Sequence, residues 1–305
     1  MVQVSVHEDR LIDSNGNRYF NCHNQIEHGN CNWLRAEQDG PGYCLSCQHT
    51  RMIPNLDYAD NLIRWSKLEQ EKKRLLFAFL TLGIAPSPGE LMFDFLEDAR
   101  TNPTTYGGEI HNTGYANGVV TINVAEADDV VREQERHAVN EQYRTVLGHF
   151  RHESGHYFFE RIPTALKDPV TSLFGDAQAD YNTALADYYA NGPGSNWQDT
   201  HISAYASAHP LEDWAETWSH YLHMHDVIET AVAYGLQPAR IEGASIEEKI
   251  SAWRELSVIL NELNRSIGLG DAYPFVLGAV VTQKLALIER VVTELRNPQA
   301  IPASA

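Results

Sequence analysis

Residues 147–162 read L-G-H-F-R-H-E-S-G-H-Y-F-F-E-R-I, and inside them His152, Glu153 and His156 form H-E-x-x-H. Tyr143, Val146, Leu147, Phe150, Phe158, Phe159 and Ile162 supply apolar positions at helical spacing on both sides. On a helix, residues four apart lie one turn above the other on one face, so the His152 and His156 imidazoles aim at one point. Glu153 sits at the edge of that face, about 100° further round. Two imidazoles suit zinc, which leaves a position open for water in catalytic sites. A carboxylate beside them suits the general base that deprotonates such a water. With 14 histidines in the chain, a chance match is the competing reading; the helical setting argues against it. Gly155 costs about 1 kcal/mol relative to Ala inside a helix. Its presence between the two histidines predicts close approach of another backbone or of a substrate. His149, one turn earlier, is expected to pack or to support a ligand, because catalytic sites usually take three protein ligands.

The third ligand is sought in H-P-L-E-D-W-A-E-T-W-S-H-Y-L-H, residues 209–223. Leu211, Trp214, Ala215, Trp218, Tyr221 and Leu222 recur at helical spacing after Pro210, a good first-turn residue. Glu212 and Glu216 stand one turn apart on one face. Glu212 as ligand, with Glu216 bonding the far nitrogen of a liganding histidine, builds the site from one helix. Spacing alone leaves the swapped assignment, Glu216 as ligand, open. Ala215 is small and would let the two helices approach. Two tryptophans interleaved with the acids weaken the reading of a merely solvated face.

All four cysteines fall in the first fifty residues: Cys22, Cys31, Cys44 and Cys47. Cys44-L-S-Cys47 is a C-x-x-C knuckle, and the set is compatible with a four-thiolate structural zinc site. The segment is short and turn-rich, so a closed metal site would supply stability that its core cannot. Cys22-x8-Cys31 is wider than a usual knuckle, and disulfides or a redox pair compete. His23, His28 and His49 are spare donors that could replace one thiolate.

A linker at 51–57 leads to a helix over 59–82, whose Lys72, Lys73 and Arg74 read as a solvated basic patch. Residues 84–106 read as loop with an apolar run at 91–96. Strands are expected over 108–124, with Asn117-Gly118 as a hairpin turn. The strand ending at Val124 could offer its edge to an extended peptide, or serve only as a structural hairpin. A helix is expected to open in 125–137. In 173–189, Asp176, Asp180 and Tyr181 are read at helical spacing; either aspartate can orient a liganding histidine, and Asp180 is assigned that place beside Glu216. An oxyanion on a scissile carbonyl needs a donor. Candidates are Tyr205, His209, His220 and His223, with Tyr205 and His220 carried forward. Residues 227–296 read as further helices without chemistry.

The formal net charge of −18 argues against nucleic acid and anionic membrane as partners. No apolar run approaches the roughly 20 residues of a membrane helix, and the N-terminus lacks the features of a signal peptide. A cytoplasmic location with reduced thiols is expected.

Several of these stretches together resemble a known family. They are C-N-W-L at 31–34, C-L-S-C at 44–47, A-E-A-D-D at 125–129, Y-R-T-V-L-G-H-F-R-H-E-S-G-H-Y at 143–157, F-G-D at 174–176, and the 209–223 stretch. The chain resembles the bacterial zinc-binding metallopeptidases that carry an N-terminal zinc ribbon. E-x-x-A-E at 212–216 is also similar to the glutamate helix of gluzincin peptidases. That resemblance implies Glu212 as zinc ligand with Glu216 as its neighbour. It also implies one catalytic zinc and one structural zinc. An early C-x-x-C of the family's ribbon is absent here.

The expected fold is α+β: a mostly helical gluzincin-like domain with a small sheet at 55–298, a zinc-ribbon-like module at 1–54, and a flexible tail at 299–305. The expected function is hydrolysis of a peptide or isopeptide bond in a peptide or protein substrate by zinc-activated water, with Glu153 as base. Alternatives are a zinc amidase on a non-peptide amide and a non-catalytic, metal-stabilised module whose ribbon captures a protein partner.

Overall fold

The computed structural model describes residues 4–7, 10–58, 60–106, 111–132, 145–241 and 243–296. The fold is α+β and mostly helical, with two four-stranded sheets. The chain groups into two compact units. The first comprises the described residues of 1–77, 85–139 and 145–150, and the second those of 78–84 and 151–296. Tyr143, the end of the helix expected in 125–137, and the tail lie outside the described residues.

In the first unit, β1 (Val4–His7), β2 (Arg10–Asp13), β3 (Arg18–Asn21) and β4 (Leu34–Ala36) form an antiparallel meander. Cys22 follows β3 and caps α1 (His23–His28); Cys44 caps α2 (Leu45–Gln48). The wide Cys22–Cys31 spacing is therefore filled by a short helix, which Gly29 stops in the left-handed conformation at φ 65°.

The second sheet holds β5 (Thr50–Met52), β6 (Met92–Leu96), β7 (Gly114–Ala116) and β8 (Val119–Asn123) in the order β5-β6-β8-β7. The apolar run in 91–96 is thus a strand within that loop-rich stretch. Asn117 at φ 49° and Gly118 at φ 79° make the two-residue turn between β7 and β8, as the dipeptide predicts. β8 pairs with β6 on one side and β7 on the other, so it has no free edge to offer a peptide; β5 and β7 are the edge strands.

The helix expected from 59 is α3 (Asn61–Leu82). Of its basic run, Arg74 is exposed as expected, but the two lysines are not. Lys72 and Lys73 are buried. The Lys72 ammonium lies 2.9 Å from Glu69, bonds Thr50 Oγ1 and sits 5.8 Å from the Phe93 and Phe95 ring centres. A buried ammonium needs a partner carboxylate, and Glu69, one turn earlier on the same face, supplies it. A short α4 (Pro103–Tyr106) follows β6. Residues 129–132 are helical.

Helix α5 (Val146–Phe159) carries H-E-x-x-H. In the first unit, its Phe150 packs edge-on against Phe93 and Phe95.

The second unit contains α6 (Thr164–Phe174), α7 (Tyr181–Asn191), α8 (Pro210–Ala233), α9 (Ile246–Ser266) and α10 (Ala279–Leu295). Helix α8 is its axis, packed against α6, α9 and α10. Its buried face holds Trp214, Trp218, Tyr221, Leu222 and Ile228. Phe158 stacks on Trp218 at 4.5 Å between ring centres, and Phe159 and Phe174 meet Trp214 edge-on. Aromatic pairs of this geometry contribute about 0.5–1.5 kcal/mol each beyond their buried area. A buried ion pair, Lys284 to Asp213 at 2.5 Å, ties α10 to the first turn of α8.

Candidate metal centre

Helices α5 and α8 can cross closely because small residues meet at the crossing. A Cβ placed on Gly155 would lie 2.8 Å from Ala215 Cα and 3.2 Å from Trp218 Cδ1. The close backbone approach that Gly155 predicts is therefore to Ala215. Trp214 Nε1 donates to the Gly155 carbonyl at 2.9 Å, and Trp218 Nε1 donates to Ser154 Oγ at 3.1 Å. These indole bonds fix the register of the two helices. His209 caps α8: its Nδ1 accepts from the Leu211 N–H at 3.1 Å, so its Nε2 carries the proton and donates to the Ala179 carbonyl at 3.1 Å.

That register brings His152, His156 and Glu212 together, with one ligand atom from each within 4.8 Å of the others. His152 Nε2 lies 3.0 Å from Glu212 Oε2, and His156 Nε2 lies 3.7 Å from Glu212 Oε1. Glu216 Oε1 is 2.7 Å from the other nitrogen of His152, Nδ1. Ser203 Oγ donates to Glu216 Oε2 at 2.6 Å and accepts from the Ala206 N–H at 3.1 Å. A carboxylate that bonds Nδ1 fixes the tautomer and aims Nε2 at the space by Glu212.

The electrostatics suit a divalent cation. Burial works against charge on His152, yet hydrogen bonds and charge from Glu212 and Glu216 hold its pKa well above the usual value. Burial and the neighbouring His152 push His156 down to about 4, so it stays a neutral donor. Burial would raise Glu212, but the His152 hydrogen bond and the histidine charges hold it down at about 2. Glu212 is 1% exposed, and its buried Oε2 faces His152 Nε2 at 3.0 Å. An anionic oxygen held dry beside two imidazoles is the donor set that zinc takes.

Tyr205 reaches the site, with its ring 6.1 Å from that of His152. Burial, then the charge of Glu212, raises its phenol, so it remains a protonated donor. Tyr181, which carries no role in the sequence reading, donates from its hydroxyl to Glu212 Oε1 at 2.8 Å. Ser203 was equally invisible; it sits in a loop with no motif around it. The tyrosine-rich run at 181–189 is the one signal that could have pointed to Tyr181, and the sequence reading makes no use of it.

Two expected site residues do not join. Gly175, at φ 103°, ends α6, and 176–180 is a turn rather than helix. Asp180 is exposed and caps α7 by accepting from the Thr183 N–H at 2.7 Å, so it orients no histidine. His220 Nδ1 bonds the Tyr273 hydroxyl at 2.8 Å and its ring packs on Phe275 at 4.4 Å. His223 packs against Trp253 and Tyr273. In the first unit, His149 Nδ1 bonds Glu126, and His149 is not part of the metal cluster. His225, Asp226 and Glu229 form another grouping along α8, but His225 bonds Thr81 and Asp226 pairs with Arg151.

The second cluster is Cys22, Cys31, Cys44 and Cys47, all buried, unbridged and with their sulfurs within 4.8 Å. Cys31 Sγ lies 3.6 Å from Cys44 Sγ and 3.7 Å from Cys47 Sγ, and the Cys44 N–H donates to Cys22 Sγ at 3.2 Å. Hydrogen bonds from the other thiols lower Cys22, and the crowding raises Cys44 and Cys47. Four thiols this close cannot all ionise without a cation among them, so the set fits a tetrathiolate zinc. None of the spare histidines enters it: His49 Nδ1 is held by the Leu91 carbonyl at 2.7 Å, and the His23 and His28 rings pack on Tyr43 and Trp65.

Residues 61–291 match the family model described as "Putative zinc-binding metallo-peptidase", and residues 2–58 match a zinc-ribbon domain. This chain belongs to that metallopeptidase family. Uncharacterised proteins of Mycobacterium tuberculosis strain H37Rv and of Mycobacterium bovis are each 41% identical to it over 282 residues, covering 87% of this chain and 80% of theirs. No solved structure is significantly similar. Membership of this metallopeptidase family, with the two candidate metal clusters, supports a zinc-dependent hydrolase in general. Among the described residues, no helix is long and apolar enough to cross a membrane.

Proposed function

We propose that this protein hydrolyses a peptide or isopeptide bond in a zinc-dependent reaction. The observation that carries this reading is the convergence of His152, His156 and Glu212 from two helices on one point. These three would hold the metal. Bound there, zinc supplies Lewis acidity toward the scissile carbonyl and acidifies water. Glu153, one residue after the first histidine, takes the proton from the attacking water and delivers it to the leaving amine. Glu216 holds His152 in one tautomer, and Ser203 holds Glu216. The Tyr205 hydroxyl donates to the oxyanion; His220, engaged by Tyr273, is released from that role. A resident base favours an enzyme over a purely structural site.

The ribbon, taken as residues 1–54, would hold a structural zinc on its four thiolates and offer a surface to a protein partner; the peptidase domain is taken as 55–298. Four unbridged thiols suit a reducing compartment and support a cytoplasmic location.

The test compares zinc-loaded wild type with Glu153→Gln on a peptide library. Equal zinc content is expected, with turnover reduced roughly 10²–10⁴-fold in the variant. Identical behaviour of the two in every hydrolysis assay would leave a binding protein.

A further inference from the structure

We infer that the ligand this site receives is a basic segment, a stretch of peptide carrying lysine or arginine side chains, led in along a row of tyrosines. The inference rests on the reading of the site given above and names its substrate class.

From residue 168 to residue 239 the chain contains no lysine or arginine. This run supplies Glu212, Glu216, Ser203 and every tyrosine at the site. Two of its acids are neutralised from outside it, Asp213 by Lys284 and Asp226 by Arg151. Asp176, Asp180, Asp187 and Asp199 are exposed, and none forms an ion pair among the described residues. Their bonds are local and neutral: Asp176 accepts from the Gln178 N–H, Asp180 from the Thr183 N–H, and Asp187 from the Asn191 side chain. Burial holds His201, His220 and His225 near pKa 4, so they add no positive charge at neutral pH. Lys167 and Arg240 bound the run in sequence, and the nearby Arg161 is engaged, stacked 3.6 Å over the Tyr157 ring and bonded to its carbonyl.

A second observation points the same way. Rings run outward from the buried Glu212 and the half-buried His152: Tyr205 lies 6.1 Å from His152, Tyr188 lies 5.9 Å from Tyr205, and Tyr189 lies 5.6 Å from Tyr188. The row ends at Tyr189, which is 64% exposed. Tyrosine faces attract ammonium and guanidinium groups. Asp187 directly precedes Tyr188 in the chain, and Asp180 directly precedes Tyr181, whose hydroxyl touches Glu212. Carboxylates within a Debye length of about 8 Å still act on an incoming charge. A run without lysine or arginine that carries exposed aspartates and an aromatic row therefore favours a cationic chain and repels an acidic one.

The experiment uses fluorescein-labelled decapeptides of alternating alanine and lysine, alanine and glutamine, or alanine and glutamate. Binding is measured by anisotropy to the full-length, zinc-loaded Glu153→Gln protein, and cleavage is measured with wild type. The lysine peptide is expected to bind at least about tenfold tighter than the glutamine peptide, with the advantage shrinking as salt rises. Asp180→Asn with Asp187→Asn, which keeps the helix cap, should remove most of that advantage. Glu247→Gln with Glu255→Gln, which removes the same charge from α9, should leave it. Equal binding of the lysine and glutamine peptides, or equal weakening by the two charge pairs, overturns the inference. Preferential binding of the lysine peptide without cleavage by wild type would uphold it and defeat the hydrolase reading instead.

Discussion

Replacing Gly155 by alanine tests whether the closeness of α5 and α8 sets the metal site. Carbon atoms in contact sit about 3.5–4.0 Å apart. The added Cβ would meet Ala215 Cα at 2.8 Å, a shortfall of about 0.7–1.2 Å against a backbone atom that cannot rotate away. The helices must separate or twist. Overpacking of this kind costs about 1–3 kcal/mol, while alanine gains about 1 kcal/mol over glycine in helix propensity. The net loss of stability is about 0–2 kcal/mol, or roughly 0–8 °C in Tm. The effect on the ligands should be larger in proportion. Gly155 lies between His152 and His156, and Ala215 lies three residues after Glu212, so the separation falls directly on the 3.0 Å gap between His152 and Glu212. Zinc affinity at this site should fall at least about tenfold, equivalent to 1.4 kcal/mol. The assay is chelator competition, with His156→Ala marking full loss of this site against the retained ribbon zinc, alongside thermal unfolding of the same samples. A variant that binds zinc as tightly as wild type and melts higher would refute the reasoning, because it would mean the crossing has room to spare.

Two further outcomes follow from the same geometry. Glu216→Gln should lower zinc affinity at the His152 site roughly 10–100-fold while leaving the fold intact, as read by chelator competition and circular dichroism; unchanged affinity would remove Glu216 from the site. Burial, with the charges of Lys249 and Arg296, depresses His225 to about 4 from an ordinary 6.5. A depressed folded pKa means that its stability contribution is complete above pH 6.5 and is lost as pH falls toward 4, by roughly 1.4 kcal/mol per pH unit in that window. His225→Gln should therefore flatten the fall in stability between pH 6.5 and 4.5, measured by urea unfolding relative to wild type; an unchanged slope would contradict the buried neutral state.

Much of the centre was legible because its chemistry is local. The i, i+4 spacing of His152 and His156, and of Glu212 and Glu216, is a property of any helix that contains them, so their faces follow from the chain alone. Gly155 and Ala215 declared a close crossing because small side chains at helical positions have few other uses. Asn117-Gly118 declared its turn because few other dipeptides accept two left-handed residues. The four cysteines marked a cluster, since thiols at those spacings in a segment with little apolar core need something to hold it.

Other features were set only by the packing of distant segments. The helix pattern over 173–189 did not reveal that Gly175 would leave the α-region, which makes Asp180 a cap rather than a partner of histidine. Tyr181 and Ser203 enter the site from segments with no motif, because a hydrogen bond to Glu212 or Glu216 depends on where a chain passes in space. Lys72 reads as surface until Glu69, Thr50 and two phenylalanine rings enclose it, and His220 reads as a donor until its Nδ1 turns to Tyr273 and its ring packs on Phe275. The sequence determined which residues can face one another along a single helix, since that follows from backbone geometry. Which side chains from different helices and loops share a partner was decided by tertiary structure, because burial and pairing are settled only when remote segments exclude water together.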